Sequence, residues 1–211
     1  MQQEVTDALR DAITSGGFPP GARLLEQDLA RELGVSRAPI REAFRLLTGE
    51  GLVVTVPHKG TSVVELGRED TVEIFRLRAA IEPVAVERLI ELDNPEHRAE
   101  LREIIDLLRA SLPERDPITV ASLDMRFHER MCELAEMPRL LQAWRALGNQ
   151  LRTYFTIAEH FYDDDAVVSN HEQVVQAIES RDIPYACDVI HRHILGGGEL
   201  MATRWATGRE A

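Results

Sequence analysis

Apolar residues recur every three or four positions through most of the chain, and breaks in that rhythm mark its elements. Residues 3–15 place Val5, Ala8, Leu9 and Ile13 on one side of a helix, and GGFPPG at 16–21 ends it as a turn. A short helix is predicted from Glu26 to Leu33, broken at Gly34. Ser36 is a good N-cap for the next helix, and Pro39 is tolerated in its first turn. Ile40, Ala43, Phe44 and Leu47 form that helix's buried face, while Arg37, Arg41 and Arg45, each four apart, share another. After Gly49 and Gly51 the period changes. LVVTVPHKGTSVVEL holds two β-branched runs around a Pro/Gly turn, which predicts a hairpin.

From Arg68 onward the pattern is helical throughout, with short breaks. Six helices are predicted, over 69–92, 95–111, 117–135, 138–161, 165–180 and 183–206. Pro95, Pro117, Pro138 and Pro184 stand near helix starts, where proline fits. Pro83 falls inside the first of the six and should kink it or deprive a carbonyl of its donor. Asp163–Asp165 reads as an acidic turn and helix start.

Composition adds bounds. At 211 residues, 44% of them hydrophobic, the chain suits two modest domains with packed cores, split as 1–66 and 67–211 with a joint near 65–70. No apolar stretch approaches a membrane span, and the N-terminus lacks a signal-peptide pattern. With only Cys132 and Cys187, no disulfide framework is implied, and a reducing, cytoplasmic setting is expected. The net charge of −12 argues against a surface coated for non-specific nucleic-acid binding, so any DNA contact must come from a local basic patch.

Helix, short helix, tight turn, arginine-bearing helix and hairpin is the outline of a winged helix-turn-helix, whose second helix enters the major groove. Three arginines alone are more often a solvated face. Their ordered context, and the chain's only lysine, Lys59, beside Gly60 at the hairpin tip, favour DNA. The fold class is therefore mainly α, an N-terminal winged helix-turn-helix followed by an all-α bundle.

The second half carries a different chemistry. Asp124 and His128, four apart, stack on one helical face. His171 lies in the apolar stripe of Val168, Val174, Val175 and Ile178, and His193 in that of Val189, Ile190 and Gly197. Inward histidines need partners, and a metal ion is one way to supply them. His191, two before His193, points nearly the opposite way and is read as an outer or surface residue. Cys132 reads as a small buried hydrophobe, and His58, His97 and His160 as turn-like or exposed. Three imidazoles and one carboxylate suit zinc first, with nickel, manganese or cobalt also accommodated. Arg78 falls in the stripe of Ile74, Leu77, Ile81 and Ala85; it either pairs with Glu82 or clamps an anion.

PGARLLEQDLARELGVSRAPIREAFRLLTGEGLV followed by HKGTSVV resembles the DNA-binding domain of GntR-family bacterial repressors. The resemblance implies operator contacts from Ser36, Arg37, Arg41, Lys59 and Gly60, with Gln27 a weaker candidate. Ala38 stands where threonine is common, and its methyl could meet a thymine. The second half is similar to the FCD ligand-binding domain of the FadR branch, in its shorter, six-helix, VanR-like form. That resemblance implies a divalent metal held by Asp124, His128, His171 and His193, and a small organic acid on its open positions. It also favours the Arg78 clamp over the pair. The combined reading is a homodimeric transcriptional regulator, a repressor by resemblance, that binds a short inverted repeat and responds to a small carboxylate. Two rivals stay open: a metal-dependent hydrolase-like enzyme, and a regulator whose metal is purely structural or is itself the signal.

Overall fold

Helix α1 (Gln2–Thr14) buries Val5, Leu9 and Ile13, one residue per turn, against α3 (Arg37–Gly49). Thr6 joins this stripe, its hydroxyl donating to the Gln2 carbonyl, whereas Ala8 is exposed. Arg10 fastens the two helices further, with two guanidinium nitrogens each 2.7 Å from a Glu50 oxygen. Between them lie β1 (Arg23–Leu24) and α2 (Glu26–Glu32). β2 (Val53–Val56) and β3 (Gly60–Val63) form the expected hairpin in the register Val53↔Val63 to Val56↔Gly60. β1 adds to its other edge, giving the antiparallel order β1-β3-β2. Ile40, Ala43, Phe44 and Leu47 are buried as the periodicity predicts. Ser36 holds the N-cap position of α3 with extended backbone, but its hydroxyl makes no capping bond. In this computed structural model the described residues are 2–114, 116–155 and 164–207.

The remaining elements are helical: α4 (Arg68–Leu92), α5 (Pro95–Ser111), a 3-10 turn at Leu112–Glu114, α6 (Pro117–Leu134), α7 (Pro138–Phe155), α8 (Asp164–Glu179) and α9 (Ile183–Thr207). Caps explain several of their starts. The Asn94 side chain accepts from Glu96 N–H, and Asp116 accepts from Ile118 and Thr119 N–H. Asp70 turns back to accept from Gly67 N–H at 2.7 Å. The predicted continuation of α7 over 156–161, with His160, lies outside the described residues, as does Asp163. Among the described residues no helix is long and apolar enough to cross a membrane. Two compact units result, one of residues Met1–Leu66 with the part of α7 from Ala146, the other from Gly67 through Arg145 with the later helices.

In the second unit the long helices α4 and α9 pack along each other. Their approach depends on Gly198, where an added Cβ would stand 2.7 Å from the Phe75 Cβ. Gly196, two residues earlier, has no atom within 4 Å of such a Cβ. Gly196→Ala is therefore expected to raise stability by up to about 1 kcal/mol through helix propensity. Gly198→Ala should lower it, because overpacking costs about 1–3 kcal/mol and exceeds that gain. Urea midpoints of the two variants, moving in opposite directions, check this.

Candidate functional site

The α2–α3 turn and the hairpin present the DNA-contact candidates together. Gln27, Ser36, Arg37, Ala38, Arg41, Lys59 and Gly60 are all exposed. Gln27, Arg37 and Gly60 line one notch with Arg23 and Thr55. Arg23, not singled out by the sequence, sits on β1 with its guanidinium beside Gly60. Only the two-residue strand brings it there, so no periodic signal marks it. Arg37 and Arg41 both donate to one oxygen of Glu26, Arg37 Nη2 at 3.1 Å and Arg41 Nε at 2.8 Å. Burial would push the Glu26 carboxyl up, but the bonds from Arg41 and Arg37 hold it below its ordinary value. Arg45 pairs instead with Glu42.

In the helical unit, α6, α8 and α9 bring His128, His171 and His193 together, with one nitrogen of each ring lying within 4.8 Å of the others. Two of the rings have their tautomers set from behind. His171 Nδ1 donates to the Val167 carbonyl at 2.7 Å, one helical turn back, which leaves Nε2 as the lone-pair nitrogen. His128 Nδ1 donates to Glu82 Oε2 at 2.8 Å, again freeing Nε2. His193 Nε2 faces that nitrogen at 3.2 Å. Asp124 joins through His171, its Oδ1 standing 3.2 Å from His171 Nε2. With no proton on Nε2 and only an acceptor facing it, the fully buried His171 Nε2 has no hydrogen-bond partner among the described residues.

These spacings fit a metal. Tetrahedral bonds of about 2.0–2.1 Å set ligand atoms roughly 3.3 Å apart. The His128–His193 and Asp124–His171 separations match that edge. The residues to hold a divalent ion are thus present, and bound there it would supply a Lewis-acidic centre with positions for an oxygen ligand. Burial keeps His128 below its usual 6.5 despite the Glu82 charge, and keeps His193 further below, helped by the other two histidines. Both rings are therefore in the neutral, ligating form. For Asp124, burial alone would raise the carboxyl; protonated His171 and His128, with Arg78, would lower it, and with the rings neutral a bound cation would take over the histidines' share.

Arg78 and Glu82 extend the site behind His128. Arg78 is 1% exposed, and its Nε donates to Glu82 Oε1 at 2.7 Å. The same oxygen accepts from Trp144 Nε1 at 2.8 Å. Glu82 thus receives three donors across its two oxygens and is held down to about 2 although burial works against it. The pair with Glu82 that the spacing offers is present, and it is buried. It does not satisfy the guanidinium: Arg78 Nη2 has no hydrogen-bond partner among the described residues, and Nη1 reaches only Met125 Sδ at 4.0 Å. Phe75 and Trp144 flank its plane, with ring centroids at 5.3 and 5.7 Å. Leu77, assigned by periodicity to the same buried stripe, is exposed.

Residues 1–63 match the gntR family of bacterial regulatory proteins, and residues 73–196 match the FCD domain. A protein of Paenarthrobacter nicotinovorans, named "Probable D-xylose utilization operon transcriptional repressor", is 32% identical and aligns with 99% of this chain and 91% of its own length. The chain belongs to the GntR family. The gluconate operon transcriptional repressor of Bacillus subtilis is 26% identical, over 88% of this chain and 78% of that protein. Among solved structures, E. coli McbR/YncC superposes with a TM-score of 0.80 at 23% identity, covering 96% of this chain and 97% of that one, which establishes the shared fold.

This GntR-family chain is accordingly a transcriptional regulator and not an enzyme. The remaining candidates in it sort by position. Cys132 is fully buried outside the histidine cluster, and burial raises its thiol well above the ordinary value. Glu129 and Glu172, the carboxylates adjoining His128 and His171 in sequence, pair with Arg145 and Arg109 on the surface. His58 is exposed at the hairpin tip in the left-handed region, φ 63. His97 is half-buried within α5 rather than exposed, and it stands apart from the cluster.

Proposed function

We propose that this GntR-family regulator reads a short inverted repeat as a homodimer and holds a divalent ion, zinc in the first instance, on Asp124, His128, His171 and His193. A small carboxylate effector completes the ion's coordination and takes the outer edge of Arg78. The observation that carries the reading is the buried His171 Nε2, beside Asp124 on a ring packed against those of His128 and His193, with its other nitrogen already committed to Val167. Arg78 supports the effector half, since a buried guanidinium with an unpartnered N–H calls for an anion. The operator half rests on exposed Ser36, Arg37, Ala38, Arg41, Lys59, Gly60 and Gln27, with Arg23 added from the notch. The uncapped Ser36 hydroxyl is available to a phosphate. Two-fold symmetric regulators read paired half-sites, which makes a dimer formed mainly through residues 67–211 the expected assembly. The effector acts only if it prefers one arrangement of the two DNA-binding units over another.

The relatives named for gluconate and D-xylose operons make sugar acids the first compounds to screen. A compound at 100 times its dissociation constant raises stability by about 2.7 kcal/mol, which a thermal-shift assay detects. At fixed zinc saturation, a carboxylate that stabilises the chain should also change its DNA affinity. No change with any acid would favour the second reading, a structural or signalling metal. Arg78→Ala is expected to lose the thermal response to the acid while still taking up zinc. Glu82→Gln should weaken zinc about 10- to 100-fold, the usual cost of losing a carboxylate that orients a ligating histidine. Zinc titration of both variants separates the two roles; equal metal loss in both would defeat the assignment of Arg78 to the effector.

A further inference from the structure

Pro83 lies inside α4 and has no N–H, so the Ala79 carbonyl lacks the donor that a helix supplies from four residues on. Ala79 is 1% exposed, and its oxygen is met from another helix. His191 Nδ1 of α9 stands 3.0 Å away; a carbonyl only accepts, so that nitrogen carries the proton. One turn earlier on α9, Cys187 Sγ is 3.5 Å from the Pro83 carbonyl. Two α9 residues four apart therefore hold the two carbonyls that bracket the altered part of α4. The sequence reading set His191 aside as an outer or surface residue, and its ring is indeed exposed and outside the histidine cluster. Its neighbours decide its importance. On α4, Arg78 adjoins Ala79 and Glu82 adjoins Pro83, while on α9 His193 follows two residues after His191. Glu82 in turn orients His128.

We propose that His191 is a positioning residue, whose bond to the Ala79 carbonyl fixes the Arg78–Glu82 turn of α4 against the His193 turn of α9. The geometry of the histidine cluster then depends on a histidine outside it, recruited because a proline removed a helical donor. This inference rests on the metal reading above for its consequence, though the bond itself does not.

The test is a double-mutant cycle in the full chain: wild type, His191→Ala, Pro83→Ala and the double variant. Alanine at 83 restores an N–H to the Ala79 carbonyl, so His191 becomes dispensable there. Two measurements are made, Tm in EDTA and zinc affinity by competition with a chromogenic chelator. His191→Ala alone is expected to lower Tm and weaken zinc roughly 10-fold, the low end of what losing an orienting partner costs. In the Pro83→Ala background the same substitution should change neither. Should His191→Ala fail to fold, recovery of folding in the double variant supports the same conclusion. Equal losses in both backgrounds would overturn the proposal. A Tm cycle that behaves as expected, with zinc affinity unmoved by His191→Ala, would overturn the positioning role. If wild type takes up no zinc while the Tm cycle holds, the earlier metal reading falls, and the positioning role falls with it.

Discussion

A His171→Ala variant is expected to purify without a divalent ion, where the parent chain carries about one per protomer. Its ring contributes the one cluster nitrogen that is both fully buried and without a hydrogen-bond partner, and nothing else among the described residues replaces it. Three remaining ligands form an incomplete shell around a buried charge, so affinity should fall by several orders of magnitude. The thermal response to carboxylates should disappear with it, as it should in chelated parent protein. The pH dependence has a definite sign. Ligation needs neutral imidazole, and burial holds His128 and His193 below 6.5, so protons do not compete until the pH is below that value. Proton competition at these two rings should thus add to the loss of zinc affinity only in buffers more acidic than 6.5. Metal analysis of protein purified without chelators is the check. A parent chain that is empty, and that takes up none of zinc, nickel or manganese, would sink the assignment.

The second large effect is expected at the DNA-contact face. Replacing both Arg37 and Arg41 by alanine should abolish sequence preference. A bidentate arginine–guanine contact is worth about 1–3 kcal/mol, so two together amount to roughly 30- to 20,000-fold. Glu26 sharpens the expectation. Its single oxygen holds both guanidinium groups, which limits their rotamers before DNA arrives and makes the two substitutions interdependent. Lys59→Ala, by contrast, should weaken binding to all sequences alike and flatten the salt dependence, as a phosphate contact does. Fluorescence anisotropy with a site selected from random duplexes, set against a scrambled duplex, distinguishes the two patterns. Full selectivity in the double variant would remove these arginines from the reading.

Local rhythm carried much of this into the sequence. The Ile40, Ala43, Phe44 and Leu47 stripe reads directly as a buried helix face because Arg41, Glu42 and Arg45 fill positions between. The stripe argument also separated His193 from His191, since two positions on a helix differ by most of a half-turn. It failed where burial depends on what the helix meets. Ala8 and Leu77 carry the right residue type at the right spacing but face outward. β1 was invisible because two residues hold no period. Glu82 could be read only as a partner for Arg78 four residues away. Its other donors, His128 and Trp144, come from 46 and 62 positions on and meet it only through packing of α4, α6 and α7. The link from Pro83 to His191 was half legible: a proline inside a helix announces a carbonyl in need, but not which side chain answers it.

The Glu82 carboxylate bears on any attempt to retarget this regulator as a biosensor for a different acid. Arg78, His128 and Trp144 all terminate on it, so changing one of them leaves a buried anion short of a donor. Library members altered at these four positions lose stability along with whatever they gain in ligand preference, so the two have to be scored apart. Diversity is better placed on neighbouring residues that do not end on this carboxylate, where a new side chain leaves the buried charge and its donors as they are.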